Sequence, residues 1–169
     1  EIKIEVTFEK HLENKILKAL FTNHEYEEVA YEIYEIKNKH QNIGLGMIGE
    51  LDKALSEEAF LSLVKTKMQC GGIRHSTLLG KSIKKVAVLG GSGSYAIKNA
   101  LQAGADAYLT ADLKYHQFYE AENQLLLADI GHFESERYTK NYILDYLKEK
   151  ITNFAIILSE ENTNPVQYF

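Results

Sequence analysis

Three short, largely apolar runs spaced through the second half of the chain, residues 86–89, 105–109 and 125–130, restrict its fold more than any other feature. A strand covered on both faces shows no polar alternation, so a continuous apolar run of this length reads as a central strand of a parallel sheet. Between the runs lie stretches of helical periodicity, at 95–103, 115–123 and 132–150. A last apolar run at 154–158 reads as one more strand. Strands that alternate with helices in this way give a sheet with helices packed on it. Gly104 sits where the C-terminal glycine of a helix belongs.

The first half has a different texture. Residues 2–8 and 29–36 alternate apolar and polar side chains, as half-exposed strands do. Leu12, Ile16, Leu17, Leu20 and Phe21 make one apolar helix face between them. Residues 45–51 read as a short strand, and Ser56, Glu57 and Glu58 cap a helix whose inner face carries Phe60, Leu63, Val64 and Met68. Residues 73–79 close the set. The order β-α-β-β-α-β is that of a ferredoxin-like α+β domain. The expected organisation is therefore α/β in class, with a ferredoxin-like domain over residues 1–80 followed by half of a mostly parallel α/β domain over 81–169.

Composition narrows the partners. A net charge of −5 over 169 residues argues against nucleic acid, which needs a basic field. No apolar run approaches the ~20 residues that cross a bilayer, and no basic-then-apolar leader opens the sequence. The lone Cys70 rules out an intramolecular disulfide and fits a reducing cytoplasm. The sequence begins at Glu1, already in a strand pattern, which suggests the interior of a longer protein.

Two motifs carry chemistry. Gly91-Ser92-Gly93-Ser94-Tyr95-Ala96 fits the dinucleotide pattern G-x-G-x-x-A between a strand and a helix, with Asp112 as the following acid. Too little chain follows for two mononucleotide halves, so a tight turn of small residues is the preferred reading. The second motif is Gly131-His132-Phe133-Glu134-Ser135-Glu136-Arg137, where a buried strand turns directly into a helix. His132 and Glu136, four apart, share one helix face at the carboxyl edge of the sheet and can grip one ion between them. The plainer alternative is that both are solvated first-turn residues.

Taken together, several segments resemble one family, the GTP cyclohydrolase type 2-like or NGG-interacting-factor-three-like proteins. The carriers are residues 86–94 (VAVLGGSGS), 104–116 (GADAYLTADLKYH), 129–136 (DIGHFESE) and 162–165 (NTNP), with 24–28 (HEYEE) and 44–51 (GLGMIGEL) resembling the inserted domain of the longer members. The resemblance runs in order along nearly the whole chain. Ala111 stands where the family usually has glycine, and Glu25 where it usually has proline.

The resemblance implies toroidal homo-hexamers with a dinuclear divalent-metal site, and an insertion similar to the trimeric nitrogen-regulatory proteins. It places His132 and Glu136 on the two metal ligands of the C-terminal half, the others coming from an N-terminal half outside this sequence. Two donors leave a shell open, since zinc takes about four ligands and manganese or magnesium about six; iron is a further possibility. Asp112 and His116 are candidates to support the ligands, a surface or rim position being the preferred reading for His116, while His11, His24, His40 and His75 show no ligand pattern. The implied function is metal-dependent hydrolysis, with a nucleotide such as GTP as substrate. The alternative is an oligomeric scaffold or protein-interaction module without catalysis, to which Tyr26, Tyr31 and Tyr34 would contribute a contact surface, although packing on a half-exposed sheet is the preferred reading of these tyrosines.

Overall fold

A computed structural model describes residues 2–38 and 43–168. The chain divides into two compact units, Glu1–His40 and Gln41–Phe169. In the first, a 3-10 turn at Lys10–Leu12 leads into helix α1 (Glu13–Asn23). Leu12, Ile16, Leu17 and Leu20 are half-buried on one face, as their spacing predicts. Phe21 meets Tyr31 edge-on at 5.5 Å.

The strands expected at 2–8 and 29–36 do not form: no β-ladder involves these residues. Their apolar side chains lack a buried face to alternate against, and Ile2 and Ile4 are 93% and 82% exposed. Period-two patterning marks a strand only where a second layer covers one side.

In the second unit the elements run β1 (Met47–Ser56), α2 (Glu57–Met68), β2 (Arg74–His75), β3 (Ser82–Ser92), α3 (Ile97–Gln102), β4 (Ala107–Ala111), β5 (Leu126–Asp129), α4 (His132–Glu136) and α5 (Thr139–Lys150). A 3-10 helix, Tyr115–Ala121, replaces the α-helix expected at 115–123. The architecture is α/β around a mixed five-stranded sheet in the order β1-β3-β4-β5-β2. The central β3, β4 and β5 are parallel, and β1 and β2 flank them antiparallel.

Both faces of β4 and β5 are covered, which explains their largely apolar runs, whereas Val88 of β3 stays 40% exposed. Leu125, Leu127, Tyr108 and Ala87 face one cluster with Ile97 and Ala100 of α3. Leu126, Ala128, Ala107 and Ile83 face the other, with Phe60 and Val64 of α2. Helix α2 starts where expected: the Ser56 hydroxyl accepts the Ala59 N–H at 3.2 Å, and Glu57 and Glu58 lie in its first turn. Glu57 is buried, and its carboxylate accepts the N–H groups of Leu79 and Gly80 at 2.8–3.0 Å, tying α2 to the turn that enters β3.

Two further expectations change. No strand forms at 154–158, because the free side of β5 is already taken: Arg74 and His75 of β2 pair with Asp129 and Ala128. The helix expected over 132–150 breaks at Arg137 and Tyr138. There the Tyr138 hydroxyl donates to the Lys67 carbonyl at 2.8 Å and Arg137 reaches the Gln69 carbonyl at 3.5 Å. The break thus docks α4 and α5 on the carbonyl-rich end of α2.

Candidate metal centre

Parallel strands β4 and β5 end side by side at Ala111 and Asp129, and the residues just beyond them build the site. Asp112 follows β4 with φ +57°, a left-handed conformation that aspartate tolerates better than most residues. That twist, which Ala111 does not share, turns the Asp112 carboxylate across to the next strand end. Beyond β5, Gly131 (φ +91°) precedes α4 and brings His132 into its first turn.

Asp112 Oδ2 and His132 Nδ1 lie 2.6 Å apart, and the same oxygen accepts the Ser92 hydroxyl. A carboxylate accepts only, so Nδ1 carries a proton toward Asp112, and Nε2 is the nitrogen turned toward Glu136. Nε2 faces Glu136 Oε2 at 3.4 Å. The Ser92 hydrogen bond first, and His132 second, hold the Asp112 carboxyl below its ordinary range. Reciprocally, the Asp112 hydrogen bond raises His132 above the usual imidazole value, with Glu136 adding to it. His132 and Glu136 are each about half exposed, so the space between them opens outward.

The glycine turn of β3 sits beneath the pair. Between the partners Val88–Leu109 and Ser92–Ala111, β3 advances four residues while β4 advances two, a bulge that lifts the turn out of the ladder. Gly91 has φ +66°, and a Cβ there would lie 2.6 Å from Glu136 Oε1 and 3.3 Å from His132 Nε2. Its N–H donates to Ser135 Oγ at 2.8 Å, and Ser135 Oγ–H reaches the His132 carbonyl at 2.8 Å. The glycine-rich turn therefore seats α4. The dinucleotide pattern is explained by this close approach, as small residues require.

Of the residues singled out by sequence, the structure brings together His132, Glu136 and Asp112. His116 is elsewhere: it is exposed and meets the Tyr115 ring edge-on at 5.2 Å. His11 and His24 lie in the other unit, His75 contacts the Ser76 carbonyl at 2.7 Å, and His40 lies outside the described residues. Sequence reading missed Ser92, Asp129, Glu134 and Asn164. Glu134 is buried on α4 and accepts the Asn164 side-chain N–H at 3.2 Å, which anchors the 162–165 segment. A groove of about 880 Å³ runs beside the pair, with Arg74, Asp129, Ile143, Pro165 and Tyr168 along its walls.

The donor set suits a divalent cation of intermediate hardness: an imidazole nitrogen whose far side is held by a carboxylate, and a second carboxylate. Among the described residues, no cluster of three or more His, Cys, Asp or Glu side chains is arranged around one point to hold an ion. The chain itself thus offers two donors at this position.

The sequence matches the family described as Duf34/NIF3 (NGG1p interacting factor 3) over residues 3–165. The chain belongs to the Duf34/NIF3 family. Relatives named GTP cyclohydrolase 1 type 2 homolog, from Bacillus subtilis and Listeria innocua, are 35% and 34% identical over 173 aligned positions. Each alignment covers 99% of this chain but 46% of the relative, so this Duf34/NIF3 chain spans about half their length. A solved Bacillus cereus protein related to NIF3 superposes with a TM-score of 0.72 at 34% identity, over 94% of this chain and 45% of that one. A Staphylococcus aureus structure gives 0.78 at 28% identity, over 98% and 55%. No helix among the described residues is long and apolar enough to cross a membrane.

Proposed function

We propose that this chain supplies one side of a divalent-metal-dependent hydrolase site, with His132 Nε2 and Glu136 as its ligands. One observation carries the reading. Two electron-pair donors face each other 3.4 Å apart while Asp112 occupies the opposite imidazole nitrogen. Such donors repel unless a cation lies between them, whether a proton or a metal ion.

A divalent ion held there supplies Lewis acidity and a water molecule of lowered pKa. The chain's own residues do the rest. Asp112 fixes the imidazole tautomer and ring orientation, Ser92 fixes Asp112, and Gly91 leaves room for both ligands. The neighbouring groove offers a substrate apolar walls beside the reactive edge. The name carried by the relatives makes a guanine nucleotide the first substrate to test. Further ligands, for this ion and for a second one, would come from polypeptide outside residues 1–169, in keeping with a dinuclear site and a hexameric assembly.

Metal titration of the full chain by calorimetry with zinc and manganese tests the ligand assignment. Glu136→Ala is expected to weaken binding by at least tenfold, and unchanged stoichiometry and affinity would remove Glu136 from the site.

A second reading, an assembly module without catalysis, is favoured by the apolar surface of the first unit. Ile2, Ile4, Tyr26 and Tyr34 are each more than two-thirds exposed. In that reading residues 1–80 form the ferredoxin-like inserted domain, and its segments 2–8 and 29–36 pair only once a second copy covers them.

A further inference from the structure

We propose that Asp129 is the positioning residue that sets the Asp112–His132 contact, and through it the tautomer of the imidazole. Asp129 is the last residue of β5 and is buried, at 5% exposure. The regular ladder between β4 and β5 ends there: Thr110 pairs with Asp129, and the Ile130 N–H donates to the Thr110 carbonyl at 2.9 Å. Beyond that point the backbones separate, and the Asp129 side chain takes over the connection. Its Oδ2 accepts the Leu113 N–H at 2.9 Å, and its Oδ1 accepts the Gly131 N–H at 3.1 Å.

Leu113 directly follows Asp112, and Gly131 directly precedes His132. One carboxylate therefore grips the neighbour of each member of the contact, one oxygen to each. Arg74 closes the arrangement from β2. Its guanidinium pairs with Asp129 Oδ2 and donates to the Leu113 carbonyl at 2.8 Å, so Leu113 is held through both its N–H and its C=O. This grip falls where it is needed. Asp112 has left-handed backbone geometry, disfavoured for a residue with a Cβ, and relaxation would swing its carboxylate away from His132. No other acceptor for the Leu113 and Gly131 N–H groups is present among the described residues.

The plainer role is a buried, satisfied ion pair that stabilises the fold and leaves the site untouched. Asp129→Asn separates the two. The amide has a single oxygen, so it can serve Leu113 or Gly131 but not both, and its N–H₂ then faces a backbone donor. The imidazole ¹⁵N shifts of His132 are read in the metal-free full chain, alongside the melting temperature and the affinity for manganese. The expected result is a move from the Nδ1–H form toward a mixture of tautomers, with metal affinity weakened about 10- to 100-fold. Asp112→Asn combined with Asp129→Asn is expected to weaken metal binding no more than twofold beyond Asp112→Asn alone, because both act on one contact.

A lower melting temperature with wild-type ¹⁵N shifts and affinity would overturn the proposal. If Asp129→Asn does not fold, Asp129→Glu, which keeps the charge and displaces the acceptors by one methylene, is read in the same way. The metal arm rests on His132 as a ligand, while the tautomer arm does not. A wild-type chain that binds no metal would therefore sink the ligand reading and leave the positioning claim to be decided by the ¹⁵N shifts.

Discussion

At Gly91 the backbone is left-handed and lies directly under His132 and Glu136. A methyl group there meets the Glu136 carboxylate, the far end of a flexible side chain that can swing aside at small energetic cost. The left-handed φ adds ~1–2 kcal/mol for any residue with a Cβ. Gly91→Ala is therefore expected to lower stability by about that amount while removing most of the metal affinity, because Glu136 leaves its place beside Nε2. Thermal melts and manganese titration of the same preparation check this. Wild-type affinity with lowered stability would show that the turn serves folding alone. Glycine at 91 was visible in the sequence, but its reason was not. The same string satisfies a phosphate-binding pattern, and only the position of α4 above it decides between the two.

The elements differ in how well their sequences declare them, and burial accounts for the difference. Strands β4 and β5 were legible because both faces are covered, so their residues are apolar but for Thr110 and Asp129. Residues 154–158 are as apolar, yet form no strand, since pairing depends on a free neighbouring edge and β2 occupies it. Helix α4 was legible through the four-residue spacing of His132 and Glu136. Asp129 was not, because a lone carboxylate within the run 125–130 declares no partner in the sequence, whereas here it holds the Leu113 and Gly131 N–H groups and pairs with Arg74.

The loop that follows α2 yields an element-scale prediction. Burial, with Glu134 adding to it, pushes the Cys70 thiol from the ordinary 9.0 up to about 11. Below pH 9 the thiol is neutral in both folded and unfolded chains. Between pH 9 and about 11 the unfolded chain gives up its proton first, so stability falls as pH rises through that window. Cys70→Ala should flatten this alkaline decline in melting temperature. An identical decline in both proteins would locate its cause in other groups.

At the scale of the whole molecule, the first unit contains no fully buried side chain in α1 and exposes the isoleucines and tyrosines of its flanking segments. A surface of this kind is expected to associate. Light scattering of the full chain in chelator should give a mass of three or more copies if residues 1–40 assemble on their own. A monomer at high concentration would confine assembly to other surfaces. The His132–Glu136 pair lies in the other unit, so chelation should leave this association unchanged.

The outward opening between His132 and Glu136 also has a kinetic meaning. An ion gripped by two side chains on the rim of a sheet keeps the greater part of its sphere turned to solvent. Such an ion would exchange with solvent more readily than one enclosed by four protein donors. Occupancy at such a rim follows the free metal concentration from moment to moment, until something arriving from the open side closes over it.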